Sequence, residues 1–160
     1  MAFKRLTFEE ALARHKPMKR SRLVSKKGKG FRGVRIDQAD KFFSLFIRYR
    51  ANWTSERCGT KYEVNSQGLH CSHFWGRARE ATRFDPENAS AHCHGCHAFF
   101  TANPALHCEW KLKQIGHAAY DRLMIRADSR QKKDRMLAAI VYKELYLKEK
   151  ERFDGETNER

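Results

Sequence analysis

The strongest constraint on this chain is the run Cys93-His94-Gly95-Cys96-His97. A C-x2-C turn aims two thiolates at one metal ion, so the backbone around it is set by coordination as much as by packing. The residue after the second Cys, His97, faces whatever lies beside the knuckle. Cys58, Cys71 and Cys108 bring the Cys count to five, which fits four ligands and one spare. Cys58-Gly59 has the character of a knuckle turn, but Ser55 stands where an upstream C-x2-C would begin. Cys71 is then the natural fourth thiolate. Cys58, Cys71, Cys93 and Cys96 are the expected structural zinc ligands, with Cys108 and His70 as substitutes.

At 160 residues the chain allows one domain with a modest core, plus arms. A hydrophobic content of 41% suffices for a globular centre, whereas 33 Lys and Arg against 19 Asp and Glu leave a net charge of +14. Such a surface attracts polyanions, and a phosphodiester backbone is the usual one, so DNA is the expected partner. No apolar run approaches the ~20 residues that span a bilayer, and Met1-Ala2-Phe3-Lys4-Arg5-Leu6 holds no apolar signal core. A cytoplasmic protein is expected, in which Cys residues serve as ligands or free thiols.

Residues 1–36 read as a basic, flexible arm in which Lys26, Lys27 and Lys29 track DNA. Within it, Thr7 to Arg14 has the signals of a short capped helix ended by Pro17. The spacing of Ala39, Phe42, Phe43, Phe46 and Ile47 predicts a helix over 37–50 with one apolar stripe. Residues 68–74 read as a strand that turns Leu69, Cys71 and His73 to one face. Arg77, Arg79 and Arg83 follow in a loop and are candidate phosphate clamps. Cys93 to Ala102 is a knuckle running into a helix. Asn103 caps a further helix that starts at Pro104 and ends at Gly116, and two more are expected over 118–126 and 129–149. The charged end from Lys148 is expected to fray. The class is α+β and mainly helical, divided into an arm over 1–36, a core over 37–127, and a C-terminal helix with a charged tail over 128–160.

His73 on a strand, Asn88 in a loop and His97 after the knuckle supply the parts for phosphodiester hydrolysis. The reaction needs a base for water, neutralisation of the phosphorane charge and help for the leaving oxygen. An imidazole with a pKa near ~6.5 can serve as the base, and His73 is the candidate. Asn88 is expected to orient the His73 ring. His97 is a candidate ligand for a catalytic Mg²⁺, Mn²⁺ or Ni²⁺, with imidazole favouring the transition metals.

With these residues in hand, the chain resembles phage HNH endonucleases of the ββα-metal class, in particular the NinG recombination proteins and phage resolving endonucleases. The likeness runs from Asp40 to Leu123. It rests on Asp40-Lys41-Phe42-Phe43-Ser44, Trp53-Thr54 before Cys58-Gly59, Ser72-His73-Phe74 with Gly76-Arg77, and Ala81 to Asn88. It continues through Cys93-His94-Gly95-Cys96-His97, Asn103-Pro104, Trp110, Gly116 and Tyr120. It implies two strands and a helix pinched around a catalytic metal, with His73 as general base, Asn88 as the middle residue and His97 on the metal. It also implies a DNA substrate and partners in phage recombination or packaging. Ser72 departs from the acidic metal ligand that many relatives carry there, and Ser55 departs from an expected Cys. A zinc-knuckle DNA-binding protein without catalysis, or an accessory nuclease switched on by a partner, would share part of this pattern.

Overall fold

The computed structural model describes residues 36–158. The expected arm, with its short helix and with Lys26, Lys27 and Lys29, lies outside them. Among the described residues the chain is α+β and mostly helical, with five helices and one two-stranded sheet. Helix α1 spans Gln38–Arg50. Strands β1 (Leu69–His73) and β2 (Ala89–Cys93) follow, separated by a 3-10 turn at Glu80–Thr82. Then come α2 (His94–Ala102), α3 (Pro104–Ile115), α4 (His117–Asp128) and α5 (Arg135–Asn158).

Helix α1 starts on a reciprocal cap. Asp37 accepts from the amides of Ala39 and Asp40, at 3.1 and 3.3 Å, and Asp40 accepts from the Asp37 amide at 3.0 Å. These bonds satisfy donors that a helix start otherwise leaves open. The predicted stripe is buried as Ala39, Phe43, Phe46 and Ile47, while Phe42 is half-buried. The helix ends by turning through left-handed backbone at Asn52 and Trp53, with φ of 50° and 54°. The Trp53 amide donates back to Arg48 at 3.0 Å, a 6→1 closure of the last turn. The indole is fully buried, stacked edge-on to Tyr49 and lying under the Arg48 guanidinium.

Strands β1 and β2 pair antiparallel, with Leu69 opposite Cys93, Cys71 opposite Ala91 and His73 opposite Ala89. Alternation turns Leu69, Cys71 and His73 toward α1, where the His73 ring lies 5.7 Å from Phe43. His70 and Ser72 take the other face, together with His92 and Ser90. There His92 packs against Phe100 of α2 and Trp110 of α3. The outer edge of β2 is sealed by Glu56, whose amide donates to the Ala91 carbonyl and whose carboxylate accepts from the Ala91 amide, both at 2.8 Å. Capping an edge in this way removes a template for foreign strands.

Three boundaries differ from the sequence reading. Asn103 does not cap α3 with its side chain; its amide nitrogen donates instead to the Phe99 carbonyl at 2.9 Å, closing the end of α2. Helix α5 begins at Arg135 because the Asp134 carboxylate accepts the amides of Met136 and Leu137. It also runs to Asn158 rather than fraying from Lys148. Phe153 packs edge-on against Tyr49, and Arg152 donates to Asn52 at 2.8 Å, so the charged end is tied to α1. The core is therefore an aromatic layer between α1 and α5, with Tyr142 edge-on to Phe43 at 4.8 Å and Tyr146 stacked on Phe42. Each such pair contributes roughly 0.5–1.5 kcal/mol beyond its buried area.

Candidate metal and hydrolytic site

The knuckle forms as the sequence predicts. The Cys96 amide donates to the Cys93 sulfur at 3.3 Å at the start of α2. The turn after α1 brings Cys58 to it, and the ligand atoms of Cys58, Cys93 and Cys96 lie within 4.8 Å of one another. The Cys58 and Cys93 sulfurs are 3.8 Å apart. Two thiolates at the ~2.3 Å zinc–sulfur distance on a tetrahedral ion would sit about 3.8 Å apart, so the spacing fits zinc. Hydrogen bonds from Ser55 and Thr60 hold the Cys58 thiol down to about 6, favouring the thiolate that a metal needs.

Cys71 does not join this cluster, contrary to expectation. The register seats it opposite Ala91, two residues along from the row shared by Leu69 and Cys93, or about 7 Å away along the strand. Burial under α1 pushes its thiol up to about 12. The substitutes are elsewhere too: Cys108 hydrogen-bonds Tyr120, and His70 faces His97. Ser55 lies beside these three thiols, where Cys71 was expected. Its fully buried hydroxyl accepts the Cys93 amide at 3.1 Å and hydrogen-bonds the thiols of Cys58 and Cys96. The three cysteines with Ser55 beside them are thus the residues that would hold zinc.

His73 closes β1. Its Nε2 lies 3.0 Å from the Arg83 carbonyl. A carbonyl only accepts, so Nε2 carries the hydrogen and Nδ1 the lone pair. Burial pushes this imidazole down to about 4, which keeps it neutral near pH 7. His73 is one of the residues lining a groove of about 380 Å³, with Ser72, His97, Thr101 and His107. The Ser72 hydroxyl is buried there without a hydrogen-bond partner among the described residues. His97, on the first turn of α2, is pushed down first by burial and then by His70, His94 and Arg77.

Asn88 has a different task from the one expected. It does not touch the His73 ring, which Arg83 orients. Its side-chain nitrogen donates to the carbonyls of Trp75 and Thr82, both at 2.9 Å, and its oxygen accepts the Trp75 amide at 2.7 Å. Together these bonds close the 74–88 loop next to His73 and help fix where the Arg83 carbonyl lies.

Compared with models of known protein families, with characterised proteins and with solved structures, the chain finds no match. Its functional reading therefore rests on this geometry.

The three loop arginines part company. Arg83 is not a phosphate clamp: it is 1% exposed and forks onto Asp40 of α1, at 2.9 and 2.6 Å, with Glu80 at 3.1 Å. Arg79 is pinned by the Ala127 carbonyl and Asp128, over the face of Trp75. Arg77 lines a second groove along β1 with Arg48, His70 and His97. Sequence reasoning gave no role to Asp40, Ser55, Glu56 or Lys111. Asp40 left a readable signal, an acid three residues before Phe43 on the apolar stripe. Lys111 left none. It is buried, held down to about 8 by desolvation, and bonded to Ser90 and Gln114.

Proposed function

We propose that the protein is a metal-dependent endonuclease of the HNH type that hydrolyses DNA phosphodiester bonds. The observation that carries this reading is His73: a neutral imidazole, fixed through Nε2 by the Arg83 carbonyl, in a residue that lines a groove with His97 and with Ser72, whose hydroxyl has no partner among the described residues. Nδ1 of His73 takes a proton from water as the water oxygen attacks phosphorus and the bond to the 3′ oxygen breaks. His97 would hold the divalent cation, which when bound neutralises charge on the phosphate and on the departing oxygen. Arg48 and Arg77 line the second groove, which shares His97 with the first, and bring positive charge close to that residue. The net charge of +14 supports a polyanionic substrate. The setting we propose is phage DNA recombination, processing or packaging, in a bacterial host's cytoplasm.

The test is cleavage of supercoiled plasmid with Mg²⁺, Mn²⁺, Ni²⁺ or EDTA, comparing wild type with His73→Ala. Metal-dependent nicking or linearisation that the variant loses, while circular dichroism and DNA binding persist, is expected. DNA binding without cutting under any of these metals would shift the reading to a zinc-stapled binding module or a partner-activated enzyme.

A further inference from the structure

His70 points away from the cysteine cluster, across the end of β1, toward α2. Its Nδ1 lies 3.4 Å from Nδ1 of His97. Two nitrogens each ~2.1 Å from one ion are separated by about 3.4 Å in tetrahedral geometry and about 3.0 Å at an octahedral right angle. The observed gap matches the tetrahedral span. A third imidazole, His94, sits edge-on to His70 with ring centroids 5.7 Å apart. His70 comes from the strand and His97 from the first turn of the helix, so the packing of α2 on β1 builds the pair, with the His94 ring beside it.

We propose that His70 and His97 chelate one divalent transition-metal ion through their Nδ1 atoms, making His70 a metal ligand. The role of this ion rests on the hydrolytic reading above, although its binding does not. The chemistry of the surroundings chooses its class. The groove along β1 beside the pair is lined by Arg48, Gln67, Arg77 and Ser44 and, among the described residues, by no carboxylate. Hard Mg²⁺ and Ca²⁺ need oxygen ligands and gain little from such a place. Ions that favour imidazole, such as Ni²⁺, Co²⁺ and Zn²⁺, fit it. Arg48 and Arg77 add positive charge next to the ion, so the site binds best with a phosphate oxygen completing the shell. Ser72 projects from the same strand face as His70, two residues on, and offers a hydroxyl in place of a charge.

The test uses the full chain with the cysteine site filled by one equivalent of Zn²⁺, titrated with Ni²⁺ by calorimetry. Wild type is expected to take up one Ni²⁺ with low-micromolar affinity, at least ten-fold tighter than Mg²⁺. His70→Ala and His97→Ala should each weaken it ten-fold or more, while His117→Ala, an exposed histidine on α4, leaves it unchanged. Equal loss in His117→Ala, or wild-type affinity in His70→Ala, would overturn the assignment. Should a variant fold poorly, the wild type decides: Ni²⁺ must broaden the imidazole signals of His70 and His97 before those of His73 and His107. No Ni²⁺ uptake alongside intact plasmid cutting would overturn the chelate and spare the nuclease. Uptake without cutting would do the reverse.

Discussion

Asp40→Ala should be among the most damaging single changes in the described core. The Asp40 and Arg83 side chains are 5% and 1% exposed and share two hydrogen bonds, one of them at 2.6 Å. Removing one partner of a buried pair leaves the other charge without compensation and costs about 3–5 kcal/mol. Glu80 still faces Arg83, at 3.1 Å, so the low end of that range applies. Asp40 also accepts the Asp37 amide at the start of α1, and losing that cap adds about 1 kcal/mol. The sum, about 4 kcal/mol, lowers the melting temperature by roughly 15 °C for a unit of this size. The assay is urea denaturation followed by tryptophan fluorescence, in which the midpoint should fall with the slope unchanged. Asp40→Asn should lose most of the same energy, since its shape is kept and its charge is not. The pair Asp40→Leu with Arg83→Met should recover at least half, because no uncompensated charge remains. A loss below ~1 kcal/mol in Asp40→Ala would refute the argument that burial of the pair dominates.

Other changes test the neighbouring links. Asn88→Asp turns a carboxylate toward the carbonyls of Trp75 and Thr82 and should cost about 3 kcal/mol in thermal denaturation; a variant as stable as wild type would contradict the loop-closing role. Ser55→Cys would add a fourth thiolate and should tighten zinc at least ten-fold in competition with a chelator, whereas unchanged affinity would mean that position 55 does not face the metal. Cys93→Ser, or chelation of wild type, should loosen the start of α2 and lower the melting temperature, since zinc binding is coupled to folding; insensitivity to both would sink the staple. Burial holds His73 and His107 down to about 4, against ~6.5 in an unfolded chain. Below ~6.5 the unfolded chain takes up protons that the folded one refuses. Stability should therefore hold above that pH and fall toward pH 4, by up to about 1.4 kcal/mol per pH unit for each ring. Urea midpoints at pH 8, 6 and 5 would show it, and a flat profile would contradict it.

Much of this arrangement was legible in the chain. The apolar period gave α1, and the alternation of Leu69, Cys71 and His73 gave β1 and the face His73 occupies, because those periods report directly on one buried side. The knuckle gave Cys93 and Cys96 by spacing alone. Strand β2 was less visible: Ala89-Ser90-Ala91-His92 carries little hydrophobic contrast, and the strand exists because β1 and the Glu56 turn pair with it. The assignment of Cys71 to zinc failed on register, which depends on which residue of β2 lies opposite and cannot be counted along one strand. Arg83 was misread because a loop arginine reads as solvated unless its acid is known, and Asp40 lies 43 residues away. The contact between His70 and His97 was likewise invisible, since it arises from how α2 leans on β1.

Helix α1 works as a spacer with a fixed phase. Its first turn carries Asp40, and its exit delivers Trp53, Ser55 and Cys58. An extra residue inside it would advance the far end by about 1.5 Å and rotate it by about 100°. Either Asp40 would lose Arg83 or Cys58 would swing off the knuckle. The surface stretch over 63–65 is exposed throughout, carries no such phase and tolerates changes in length. Length variation tolerated there and forbidden in α1 is the pattern this spacing imposes on any lineage that keeps both ends of the site.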